Sequence, residues 1–230
     1  MAKKIKRRKH HDIKEDKFVT NALLFYEFIQ NHWKKFAVGA VALIVIIIVI
    51  VAMTSRSGKI NILALKQFDK ALALYEDKQL DTAETEFSAV LQEYGSSKYS
   101  GLAYLYLGKI NIEKSEPDVE MAEMYFNKAK FRVHDILLKE TAWLGLAECT
   151  RLSEGEDAYY ESLKRFVRKF PDSYNVSSIA FKIAEHYFSA DEYDKAKEYY
   201  SLIVKKFKNS SDFYKSKQQL EYIEQIEQDK

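Results

Sequence analysis

Residues 36–55, FAVGAVALIVIIIVIVAMTS, run for 20 positions without a charge, between a basic head and a long tail of mixed polarity. Twelve of them are Ile, Val, Leu or Phe. Each such residue favours membrane insertion by roughly 0.3–0.6 kcal/mol at a helix centre, so together they contribute about 4–7 kcal/mol. At about 1.5 Å per residue, a helix of this length covers about 30 Å, the hydrocarbon thickness of a bilayer. A run of Ile and Val would suit a strand in water. In lipid a lone strand leaves its amides unpaired, whereas a helix pairs them internally. The expectation is therefore one transmembrane signal anchor over 36–55.

The flanks set its orientation. Residues 1–35 hold ten Lys or Arg, including KKIKRRK at 3–9, against four acidic side chains. That excess places the head in the cytoplasm and the tail outside it. A cleaved signal peptide would have a shorter charged region, an apolar core of about 7–15 residues and a small-x-small site, which Ala52-Met53-Thr54 does not supply. A basic cluster beside a membrane helix reads as a topology determinant and a contact for anionic lipid, so no nucleic-acid partner is expected. Within the head, Phe18, Ala22, Phe25 and Ile29 share a helical stripe ending near Trp33. Either an interfacial helix or a cytoplasmic continuation of the membrane helix fits this pattern.

Residues 57–230 carry 25 basic and 30 acidic side chains. With one cysteine, Cys149, they can form no intrachain disulfide, so packing must hold them together. Two prolines and seven glycines in the whole chain point to helices joined by short turns. The fold class expected is all-α.

An internal repeat organises this tail. First anchors fall at Ala71, Gly108, Ala147 and Ala184, spaced 37, 39 and 37 residues apart, and second anchors at Ala83, Ala122, Tyr159 and Ala196. Bulky partners follow the same frame: Phe87 in the first unit, Tyr104 and Phe126 in the second, Trp143 with a closing Pro171 in the third, Tyr187 and Tyr200 in the fourth. This spacing resembles the tetratricopeptide repeat. The resemblance implies that small residues let paired helices approach and seat the next helix, while bulky residues fill the gaps. The usual repeat is about 34 residues, so these units are longer, and Tyr159 stands where a small residue is expected. The implied architecture is an α-solenoid over 60–230, with units at about 64–98, 101–137, 140–174 and 177–210. Residues 211–228 would form a capping helix, with Leu220 and Ile223 facing inward.

A solenoid of this kind usually holds another polypeptide on the face lined by the first helix of each pair. Projected from the anchors, that face offers Leu65, Phe68, Leu72 and Tyr75, then Leu102, Leu105, Lys109 and Ile112. The third unit adds Leu144, Glu148 and Arg151, and the fourth Phe181, Glu185 and Phe188. The lining is apolar and aromatic, suited to an amphipathic helix or an unfolded apolar segment. The competing reading for each of these side chains is burial in the core.

Catalytic patterns are absent from the sequence. There is no glycine-rich phosphate loop, no GxSxG, and no spacing among His10, His11, His32, His134 and His186 that suits a metal. No enzyme, cofactor or metal is expected, and Cys149 reads as a small buried apolar residue.

The order of parts, with KKFAVGAVALI opening the span, resembles the bacterial inner-membrane ancillary subunit of the Sec translocon. That family implies a periplasmic repeat domain, association with the translocation channel and hand-over of emerging proteins to chaperones. The loops FPDS and KNSS also resemble repeat proteins that build the cell envelope or division machinery. A third reading inverts the topology and makes the repeats a cytoplasmic adaptor.

Overall fold

The computed structural model describes residues 17–228, which contain nine α-helices and no strand. These are α1 (Lys17–Glu76), α2 (Leu80–Tyr94), α3 (Ser100–Glu113), α4 (Val119–Arg132), α5 (Ile136–Glu154), α6 (Glu156–Lys169), α7 (Val176–Ser189), α8 (Tyr193–Lys206) and α9 (Phe213–Gln228). The chain divides into two compact units, Met1–Ser57 and Gly58–Lys230.

In the first unit, the basic run at 3–9 lies outside the described residues. Residues 17–35 belong to the same helix as the apolar run. The side chains of Phe18, Ala22 and Ile29, which define the interfacial stripe, are also outside the described residues; Phe25 and Trp33 are exposed. From Val38 to Met53 the described large apolar side chains are 49–70% exposed. Over its most apolar 18-residue window the helix reaches a mean hydropathy of 3.3, with none of that window buried. Among the described residues it is the one helix long and apolar enough to cross a membrane.

The second unit is a stack of helices, all-α as expected. Successive helices pack in sequence order, and connections of a few residues make neighbours antiparallel. A first cluster joins Phe68 and Ala71 of α1 to Ala83, Phe87 and Val90 of α2 and to Leu107 and Ile110 of α3. Leu105, Ala122, Phe126, Ala129, Ala142 and Cys149 follow. Ala147, Leu163, Phe166, Val176 and Ile183 make the third cluster. Ala184, Ala196, Tyr200 and Ile223 close the array, and Leu220 of α9 packs against them. Ala71, Ala83, Ala122, Ala184 and Ala196 have no exposed surface and Ala147 almost none, so backbones approach closely where a larger side chain would hold them apart.

Two glycines show how close that approach is. A Cβ on Gly108 would stand 2.8 Å from the Phe126 ring, and one on Gly145 would stand 2.5 Å from it. Phe126 of α4 is thus clasped between α3 and α5. Gly145, 37 residues after Gly108, carries the repeat period that the anchor at Ala147 misses by two. Ala147 instead packs forward against Leu163 and Phe166, where Tyr159 also lies half-buried.

The turns repeat as well. Between helix pairs, the Ser97, Ser173 and Ser210 amides donate to the carbonyls of Tyr94, Phe170 and Phe207, at 2.8, 3.0 and 3.0 Å. The amides of Ser100, Val176 and Phe213 then donate to the carbonyls of Ser97, Ser173 and Ser210. This double turn brings the chain from one helix end into the next. Within pairs, Lys78 (φ 60°) and Asp191 (φ 59°) take the left-handed conformation at matching places. Asp118, next to the longer turn around Pro117, caps α4 by accepting from the Met121 amide at 3.0 Å.

Candidate interaction surfaces

The apolar side chains projected onto the face of α3, α5, α7 and the end of α1 range from buried to exposed, most of them half-buried. Phe68 is 5% exposed and Leu105 2%, so both belong to the core rather than to an open groove. Helices in such an array bury more than one face, and an apolar spacing does not say which face is covered. Leu72, Tyr75 and Leu102 are half-buried against the first cluster. Lys109 lies over the Tyr106 ring, 5.1 Å from its centroid, and Ile112 packs beside Leu105 and Phe126. Leu144 packs with Ala147 and Leu163. Leu65 is among the most open of these side chains, at 38%.

The polar members are paired internally. Arg151 donates to Glu148 and sits 3.5 Å from Glu156, and these carboxylates push its guanidinium pKa further up. Glu185 accepts from the Tyr200 hydroxyl and from Gln219 of α9. Burial, then the bond to Glu185, raises the Tyr200 pKa well above its usual value. The Phe181 ring meets Tyr200 edge-on at 5.7 Å, and Phe188 lies against Tyr193 and Tyr222 at 5.5 and 6.1 Å. Tyr75 donates to Glu113, and its pKa is raised by burial and by that bond.

Phe87, Phe126 and Tyr200 are buried, Tyr104, Trp143 and Tyr187 are half-buried, and Pro171 is exposed beside Ile136 and Tyr174. Trp143 also carries Lys130 and Lys169 over its ring at 5.0 and 5.1 Å. Cys149 is buried, and burial, with Glu123 and Glu148 nearby, pushes its thiol up to about 12. Among the described residues no cluster of three His, Cys, Asp or Glu is placed to hold a metal.

Two features were not named from the sequence. Glu140 is 3% exposed and accepts from the Ser173 hydroxyl at 2.6 Å and from Asn175 Nδ2 at 3.0 Å, which ties the start of α5 to the loop before α7. A charged group buried at a helix start is a cue only when its partners about 35 residues away are known. The second is a cleft of about 570 Å³ between α6 and α8, lined by Lys164, Arg168, Lys197 and Lys205 around Tyr199 and Leu202.

A model of the tetratricopeptide repeat-like domain matches residues 27–221. The chain belongs to this family. Tetratricopeptide repeat-like domains generally hold protein partners, and that coarse role extends to this chain. The matched region begins before the apolar run and ends within α9. No curated protein matches the sequence.

Proposed function

We propose that this chain is a membrane-anchored scaffold. Residues 36–55 act as a single-pass anchor in a bacterial inner membrane, the basic head of 1–35 faces the cytoplasm, and the repeat domain of 60–230 works outside it. The observation that carries the reading is the unburied apolar helix surface from Val38 to Met53, which water would penalise and lipid would accept. The work proposed for the repeats is to hold polypeptides near the Sec translocon and pass them to periplasmic chaperones. Protease treatment of a carboxy-terminally tagged chain, in cells stripped of their outer barrier, tests the placement. Digestion of tag and repeats is expected. Protection until lysis would favour a cytoplasmic adaptor.

A second reading is favoured by one observation, the burial of Phe68 and Leu105 and the pairing of Glu185 with Tyr200 on the face of α1, α3, α5 and α7. A face whose apolar side chains are mostly buried or half-buried suits one folded envelope partner better than many unfolded segments, so a scaffold for envelope assembly or division also fits. Crosslinking separates the two. Adducts with many nascent secreted chains support the translocon role; one stoichiometric adduct with a folded protein supports the envelope role.

A further inference from the structure

The two edges of the repeat unit carry opposite charge. Helices α4, α6 and α8 each have acidic residues in the first turn and basic residues in the last, as helix dipoles favour. The turns within pairs, 76–81, 113–120, 154–157 and 189–194, hold thirteen Asp or Glu against two Lys. The connections between pairs, 95–99, 130–139, 168–175 and 205–215, hold ten Lys or Arg against three Asp. A positive edge in a domain with more acidic than basic residues reflects placement, not composition.

Large apolar side chains stand on the same basic edge. Phe131 is 81% exposed, Tyr174 88%, Tyr214 79%, and Ile136 and Leu137 are both more than half exposed. Ile136, Leu137 and Tyr174 line one shallow cleft, and Tyr174 lines the next together with Lys205, Lys206 and Lys208. Hydrogen bonds run along this edge from one connection to the next: Arg132 to the Gly95 carbonyl at 3.2 Å, Ser173 to Glu140, and Ser177 to Asp212 at 3.1 Å. The chain also enters the unit here. Asn61, three residues after Gly58, accepts from the Lys98 amide at 3.0 Å, and Ile62 beside it is 70% exposed.

We infer that this basic, apolar edge seats on an anionic phospholipid surface. The inference rests on the anchoring reading, because residue 58 follows the apolar run by only three positions and so keeps the edge that bears it within reach of the bilayer. Lysines pair with lipid phosphates, while Tyr, Phe, Ile and Leu side chains enter the boundary beneath the headgroups. The acidic edge is repelled by the same surface, so the field orients the unit as well as binding it. Nucleic acid would satisfy the lysines but not Ile136 and Leu137.

The test uses the full chain, labelled with an environment-sensitive fluorophore at Ser211→Cys on the basic edge or at Glu116→Cys on the acidic one. Each is reconstituted into vesicles of phosphatidylcholine, with or without phosphatidylglycerol, that carry a headgroup-level quencher lipid. Quenching at 211 but not 116 is expected, only with phosphatidylglycerol, and reversed by high salt. Lys205→Gln, Lys206→Gln and Lys208→Gln together lower the docking equilibrium about a hundredfold, at about fivefold for each lysine. Equal quenching at both positions, or none, in a chain that resists alkaline carbonate overturns the inference and leaves the anchor standing. A chain that carbonate extracts overturns the anchor and the inference with it. Shielding of position 211 that rises with protein density and ignores lipid composition assigns the edge to a second copy instead.

Discussion

The helix from Val38 to Met53 and the helices beyond Gly58 share one secondary structure and differ in where their apolar atoms go. Ile46 and Ile48 are 58% and 61% exposed; Phe87 and Phe126, equally apolar, are 0% and 1% exposed. Helix formation is therefore not what separates the two units. The repeat unit satisfies its apolar surface by pairing small residues with large ones across neighbouring helices. The apolar run has almost no polar face to offer water and, in our account, takes lipid as its partner. Low-complexity Ile and Val suffice where the surroundings are fluid, whereas a packed array needs a particular residue at each contact.

The comparison predicts that damage to one unit spares the other. Two lysines in the run, Val45→Lys with Ile48→Lys, oppose insertion by about 5–7 kcal/mol in total, at about 2.5–3.5 kcal/mol each. Extraction of this variant into the soluble fraction, with an unchanged repeat-unit melting transition, is the expected result. Phe126→Ala does the opposite, since it empties the space clasped by Gly108 and Gly145. It is expected to destabilise the repeat unit by about 3–5 kcal/mol in denaturant titration while membrane retention is unchanged.

Finer changes sharpen the contrast. Gly145→Ala forces a methyl group onto the Phe126 ring and is expected to cost about 1–3 kcal/mol, even though Ala favours helix; a Phe126→Leu background should relieve part of that cost. The Cys149 thiol, held up to about 12 by burial, should resist alkylation near neutral pH and react once urea unfolds the unit. The Tyr200 hydroxyl has a folded-state pKa above its unfolded value near 10.0. Its contribution is thus complete below about pH 10 and fades as pH rises toward the folded value. Tyr200→Phe should flatten this alkaline loss of melting temperature, the smallest of these effects.

The helical repeat was legible because small residues recur at nearly fixed intervals with bulky residues between them, a pattern that lets helices stack closely. Less legible was which side of each helix is covered. Phe68 and Leu105 stand on the projected partner face, yet helices on more than one side close over them, and spacing within one helix carries no record of its neighbours. Gly145 has the repeat period but reads as a weak helix former until the Phe126 ring is seen against it. Glu140 resembles an ordinary surface carboxylate in the sequence; its burial depends on Ser173 and Asn175, brought to it by the double turn. The charge of the two edges emerges only when the turns are sorted by side.

Alkaline carbonate extraction, comparing the full chain with one whose residues 36–55 are replaced by an equally long polar helix, decides whether the apolar run holds this chain in a membrane. The account predicts that the full chain stays in the membrane pellet and that the replaced chain moves to the supernatant with the melting transition of its repeat unit intact. A replaced chain that stays in the pellet, or a full chain that washes out, would contradict it.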